Sequence, residues 1–224
     1  MSKSALIVID VQNYFVNEFT KAIPEKIAQF ITKNRFDFVL FTKFVNREGS
    51  NYFKLLNWEK CLGSPDTDIH PALEKFVNES NLFGKASYSI FKANGFSDFL
   101  KQNDVRKLYL CGVDIDACVL ASGFDAFDLG YEVEVLTDLS LSHSGEKLDN
   151  AALEIIKKNL AKKEFAAKEK LEIVLSAPVP ANQSGRQGSA GGRGVWGEFR
   201  PPSPVSSVRI FSNRHRKSLL LSKS

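Results

Sequence analysis

Cys118 lies in the stretch LYLCGVDIDACVLASGFDAFDLGYEV. There a strand-like apolar run, Lys107–Cys111, meets Gly112, a short polar turn follows, and a helix rich in small residues begins at or beside Cys118. A thiol at a helix start faces unpaired backbone N–H groups and the positive end of the helix dipole. That setting lowers a thiol pKa and favours the thiolate, which is the nucleophile. The same N–H groups are placed to hold a developing oxyanion. The segment therefore predicts a nucleophile and a stabiliser of its product within one turn of backbone. The other two cysteines read differently: Cys111 sits inside the apolar strand as core packing, and Cys61 is an incidental residue of a long loop.

The elements around Cys118 alternate between strand and helix patterns. ALIVID (Ala5–Asp10) is a continuous apolar run ending in a carboxylate, and DFVLFTKF (Asp37–Phe44) is the second strand. Between them a helix is predicted over Pro24–Asn34, with Pro24 in its first turn. Asn46–Pro71 is polar and aromatic and predicts an irregular loop with a short helix. Leu82–Phe83 reads as a short strand before Lys85, and Ser97–Gln102 as a helix with Ser97 as its cap. Arg106–Gly112 is a strand, Ala117–Leu129 a helix stopped by Gly130, and Tyr131–Thr137 a strand. Lys147–Lys162 carries apolar residues at helical spacing, and LEIVLS (Leu171–Ser176) is a candidate last strand. Buried strands separated by helices predict a three-layer α/β/α, Rossmann-like domain with a mostly parallel sheet. Sites in such sheets form at the carboxyl ends of strands, where Asp10 and the Cys118 turn both lie.

The chain has 224 residues and a formal net charge of +4 that is unevenly spread. Residues 176–224 hold eight Lys or Arg and one acid, Glu198, whereas the preceding residues carry a net −3. We divide the chain into a domain at 1–176 and a Gly/Pro/Ser/Arg-rich basic tail at 177–224, which is predicted to be disordered. The body favours Lys and the tail favours Arg, a shift expected of segments with different nucleotide origins. The basic run Arg214–Lys217 is too short to make nucleic acid an expected partner. No apolar stretch is long enough to span a membrane. The start, MSKSALIVID, reads as strand sequence and not as a signal peptide. Three unevenly spaced cysteines form no disulfide framework, which predicts a reduced, cytoplasmic protein. The three histidines, His70, His143 and His215, are far apart in sequence, and no cysteine pair has CxxC spacing, so no Cys/His zinc site is expected.

Three motifs fall in register: D-x-Q-N-x-F from Asp10, K-x-x-Y-S-x-F from Lys85, and G-V-x-x-x-x-C-V from Gly112. Together they resemble the isochorismatase-like cysteine hydrolases, the superfamily that includes nicotinamidases and N-carbamoylsarcosine amidase. The resemblance runs from about Ala5 to Ala161. It implies Cys118 as nucleophile, Asp10 as the base that takes its proton and returns it to the leaving amine, and Lys85 as the residue that holds Asp10. It implies an oxyanion hole from the backbone N–H groups of Asp114 and Cys118, with a cis peptide at Val113–Asp114. Homo-oligomers are common among such proteins, and no organic cofactor is implied. The physics agrees with these roles. A thiol needs a base or a lowered pKa to attack at neutral pH, and a carboxylate serves where no histidine is placed to do so.

The chain also departs from its relatives. Nicotinamidases carry a metal site of an aspartate and several histidines after the second strand; here that region reads TKFVNREGSNYFKLLNWEKC, without histidine. His70 lies beyond it, and no metal is expected. Isochorismatases that cleave a vinyl ether often lack the cysteine, so its presence favours hydrolysis of an amide-like or ureido carbon–nitrogen bond in a small-molecule substrate. Phe15, Phe44, Trp58 and Tyr88 are the candidate pocket wall, and Gln12 is expected to support backbone near the site. The alternative is a catalytically weak domain acting as a binding or scaffold module.

Overall fold

The computed structural model describes residues 3–160. Five strands form one sheet: β1 (Lys3–Ile9), β2 (Phe38–Phe44), β3 (Leu82–Lys85), β4 (Val105–Gly112) and β5 (Glu132–Ser140). Their order is β3-β2-β1-β4-β5, and every pairing is parallel. The helices are α1 (Ile23–Lys33), α2 (Asn51–Leu56), α3 (Pro71–Glu74), α4 (Phe96–Gln102), α5 (Leu120–Asp128) and α6 (Glu146–Asn159).

β1 shows why its sequence is apolar at every step from Ala5 to Ile9. Ala5, Ile7 and Ile9 join a core with residues of α4, α5 and α6. Leu6 and Val8 join a second core with α1 and α3. A strand buried on both faces has no solvated side on which to place polar residues. The sheet is thus the middle of three layers, as the alternation of strands and helices predicts.

Chain order reverses direction between β1 and β4, which are neighbours in the sheet. A crevice opens at the carboxyl ends of strands at such a point. Gly112 makes the approach of these two ends possible. Its φ is +123°, and a Cβ there would lie 2.2 Å from the Ile9 carbonyl oxygen. Any side chain would collide with backbone at the place where the site is assembled.

Most predicted elements are found within one or two residues. The exceptions have physical causes. Ser97 is not the cap of α4; Gly95 takes that position with φ +75°. The helix expected over Ala117–Leu129 begins as a π turn, Ile115–Val119, before α5. β5 runs to Ser140, three residues beyond the predicted Thr137, and its end pairs with Gly112 after an irregularity in the ladder. The helix predicted to reach Lys162 ends at Asn159, with Leu160 as its cap residue. The candidate strand Leu171–Ser176, the boundary at 176 and the basic tail lie outside the described residues.

Candidate active site

Asp10 follows the last residue of β1 with φ +51° and is fully buried. Thr42 of β2 fixes one side of its carboxylate: the Thr42 hydroxyl donates to Oδ1 at 2.8 Å. The same hydroxyl accepts the Asp10 backbone N–H at 3.2 Å. Lys85, the last residue of β3, reaches across to Oδ2 at 2.6 Å, with both side chains at 0% exposure. The Lys85 ammonium also donates to the Ser87 carbonyl at 2.7 Å and to Cys118 Sγ at 3.5 Å. Its three protons therefore have three acceptors. The Phe44 ring centroid lies 5.3 Å from Nζ.

Cys118 belongs to the π turn that follows β4. The Asp114 carbonyl accepts N–H bonds from Ala117 at 3.1 Å and from Val119 at 3.0 Å. The wider turn places Cys118 inside the turn, before α5, and not at the first exposed position of an α-helix. Asp114 and Cys118, the residues expected to supply oxyanion N–H groups, share this turn. The Val113–Asp114 peptide is cis, as the resemblance implies.

The expected lowering of the Cys118 pKa is reversed. Burial pushes the thiol well above its ordinary value, the Asp10 charge and a hydrogen bond to Asp10 push it further, and Lys85 pulls it back only in part. A helix start lowers a thiol pKa only where water or dipoles can reach the sulfur. Here desolvation wins, and the resting group at neutral pH is the thiol. Burial also opposes the charge on Lys85, but Asp10 and Cys118 outweigh it and its pKa is raised. The resting centre is a protonated thiol between a carboxylate and an ammonium.

A cavity of about 320 Å³ opens over Cys118. Phe15, Phe44, Trp58 and Tyr88 all line it, as predicted, and sequence reasoning missed Tyr52 and Leu56. The rings form a connected wall, with Tyr52 5.0 Å from Phe44, 5.7 Å from Trp58 and 5.2 Å from Tyr88 between centroids. The loop that supplies Trp58 is held by two buried amides. Gln12 donates to the Phe44 carbonyl at 2.9 Å and to the Thr67 carbonyl at 2.8 Å, and accepts the Phe44 N–H at 2.7 Å. Asn46 donates to the carbonyls of Trp58 and Lys60, both at 3.1 Å.

The rest of the lining is polar and was also missed. His143 follows β5; its ring Nδ1 lies 2.6 Å from Asp114 Oδ2, and its backbone N–H donates to Asp114 Oδ1 at 2.7 Å. The bond to Asp114 raises the His143 pKa, against the opposing effect of burial, and the charges of Asp114 and Asp116 raise it further. The strand-end rule could have found His143, since it sits three residues past β5. Asp116 lines the same wall.

No group of three or more His, Cys, Asp or Glu side chains among the described residues is arranged to hold a metal. His70 instead caps α3, its Nδ1 accepting the Ala72 N–H at 3.3 Å. The segment after β2 therefore does not fit the metal site of the nicotinamidases.

Comparison with known proteins gives a consistent result. The isochorismatase domain model matches residues 4–164. The isochorismatase family protein PncA of Bacillus subtilis is 29% identical over 154 residues, covering 59% of this chain and 83% of its own. The nicotinamidase/pyrazinamidase of Mycobacterium tuberculosis is 26% identical over 181 residues, covering 68% and 97% respectively. The solved structure of a pyrazinamidase/nicotinamidase from Streptococcus mutans superposes with a TM-score of 0.61 at 28% identity, covering 69% of this chain and 96% of that one. An isochorismatase-like hydrolase from Alkaliphilus metalliredigens shares the fold, with a TM-score of 0.61 at 23% identity over 70% of this chain and 91% of that one. The α/β architecture and the match over residues 4–164 place this chain in the isochorismatase family.

Proposed function

We propose that this protein is a cysteine hydrolase that cleaves an amide-like or ureido carbon–nitrogen bond of a small molecule through an acyl-thioester. One observation carries the reading: Lys85 Nζ lies 2.6 Å from Asp10 Oδ2 and 3.5 Å from the Sγ of Cys118, which lines a cavity. Burying an ammonium and a carboxylate is costly, and a purely structural core has little use for the pair beside a thiol.

The raised thiol pKa specifies the order of events. Cys118 Sγ attacks the carbonyl carbon as its proton passes to Asp10. The oxyanion so formed is held by the backbone N–H groups of Asp114 and Cys118. Collapse breaks the carbon–nitrogen bond, and Asp10 returns the proton to the departing amine. Water then attacks the thioester, giving one proton to Asp10. Release of the carboxylic acid regenerates the thiol with that proton. Lys85 stays charged and keeps Asp10 in place. General acid–base assistance of this kind is worth about 10²–10⁴-fold, and an oxyanion donor about 10²–10³-fold. An active thiol of this sort belongs in a reducing compartment, and all three cysteines are free.

The test is ammonia release from nicotinamide, pyrazinamide and a series of N-carbamoyl amino acids, with hydroxylamine added to trap an acyl-enzyme as its hydroxamate. Release by the wild type that disappears in Cys118→Ala supports the reading. Equal rates in both proteins, or none in either across the series, would favour the binding-module alternative.

A further inference from the structure

The charges around the cavity cancel in pairs, except one. Behind Cys118, Asp10 is matched by Lys85 at 2.6 Å, and neither lines the cavity. On the polar wall, both Asp114 oxygens are taken by His143, at 2.7 and 2.6 Å. Asp116 has no such partner: its Oδ1 is buried and makes no hydrogen bond among the described residues. No lysine or arginine lines the cavity among the described residues. Arg47 belongs to a neighbouring cavity, on whose lining Tyr52, Leu56 and Tyr88 also lie.

Much of the remaining lining is aromatic, and its rings are tilted against one another, with interplanar angles of 75°, 51°, 56° and 65°. None of these pairs is stacked face to face. Aromatic walls attract cations through the ring quadrupole, most strongly where water is excluded. A carboxylate without a partner in the same lining adds negative charge in the same small volume.

We propose that the cavity selects amides bearing a positively charged substituent of the substituted-ammonium or amidinium class, and that Asp116 imposes this choice. The proposal rests on the hydrolase reading for the word substrate, but the selectivity is a property of binding alone. Asp116 and Cys118 share one turn, so the charge sits a short spacer away from the carbonyl that Sγ attacks. An anionic substituent at that place meets Asp116 with no cation to offset it.

Three probes of matched shape test this. They are (carbamoylmethyl)trimethylammonium, its neutral isostere 3,3-dimethylbutanamide, and the anion malonamate. Their affinities are measured by calorimetry on full-length Cys118→Ala, which cannot turn them over, and on Cys118→Ala combined with Asp116→Asn. The expected result is that the cation binds about tenfold or more tightly than its neutral isostere. The malonamate affinity falls below both, and Asp116→Asn brings cation and isostere to within about threefold. Equal affinities, malonamate as the tightest ligand, a preference unchanged by Asp116→Asn, or no binding of the cation at millimolar concentration would each overturn the proposal. Should the double variant fail to fold, raising NaCl on Cys118→Ala replaces it: the cation preference must shrink while the neutral affinity holds. Ammonia release separates the two ideas. Cys118-dependent hydrolysis of the neutral amide at the cation's rate defeats the selectivity and spares the hydrolase. Asp116-dependent binding of the cation, with no hydrolysis of any amide, does the reverse.

Discussion

Cys111 and Cys118 are seven residues apart, both buried, and both shifted toward the thiol by burial, yet they occupy different chemical worlds. Cys111 lies within β4, and its sulfur meets the Ile7 carbonyl at 3.7 Å. For that thiol, desolvation is the whole story. Cys118 lies past the strand end, where Lys85 and Asp10 push its proton equilibrium in opposite directions. The lesson is that burial alone sets the proton equilibrium of one thiol, whereas the other also answers to an opposed pair of charges, the setting that the proposed nucleophile needs.

The largest test of that difference is deletion of each sulfur. Cys118→Ala is expected to lower turnover by at least about 10⁴-fold. Cys111→Ala should leave turnover within about threefold and lower stability by roughly 1 kcal/mol. Assay and urea titration of the two variants side by side decide it; similar losses in both would erase the contrast.

Removal of Lys85 comes next. Lys85→Met leaves Asp10 buried without its counter-charge, at a cost of about 3–5 kcal/mol in urea unfolding. The same change withdraws the one influence that lowers the Cys118 pKa, so iodoacetamide labelling at Cys118 must shift to higher pH. Labelling at Cys111 should stay as it was.

Asp10→Asn sharpens the comparison because two readouts should move in opposite directions. The Asp10 charge raises the Cys118 pKa, so its loss should speed labelling at neutral pH. Hydrolysis should fall by about 10²–10⁴-fold, since the proposed base is gone. Slower labelling together with slower hydrolysis would mean that Asp10 activates the resting thiol, contrary to the sign found here.

The smallest effect is expected at His143, outside the catalytic centre. Its folded pKa is raised above the ordinary 6.5, chiefly by the Asp114 bond. The bond's contribution is therefore full below about pH 6.5 and is lost as pH rises through the folded value. Wild type should exceed His143→Gln by roughly 1.5–3 kcal/mol at pH 5.5, with the gap closing as pH rises. A gap that widens with pH would contradict the pairing.

The sheet was legible because β1, β2 and β4 each carry a short unbroken apolar run, Ala5–Ile9, Phe38–Phe41 and Leu108–Cys111, which is what burial on both faces demands. Asp10, Lys85 and Cys118 were legible through three motifs in register, and the four predicted rings all reach the cavity. The sign of the Cys118 shift was not legible. It depends on how much water reaches the sulfur, and that is fixed by a π turn and by side chains distant in sequence. The pair His143–Asp114 was missed because 29 residues separate its members and His143 lies in none of the three motifs. Tyr52 was hidden because α2 follows a loop whose course is set by the buried amides of Gln12 and Asn46, and a sequence pattern does not show such bonds.

Those two amides have a consequence for engineering. All five bonds that Gln12 and Asn46 donate or accept at Phe44, Thr67, Trp58 and Lys60 go to main-chain atoms. The anchoring of the aromatic wall is thus indifferent to which side chains the wall carries. A combinatorial library at Tyr52, Leu56 and Trp58 can vary the shape and polarity of the cavity while the frame that presents it keeps every one of those bonds.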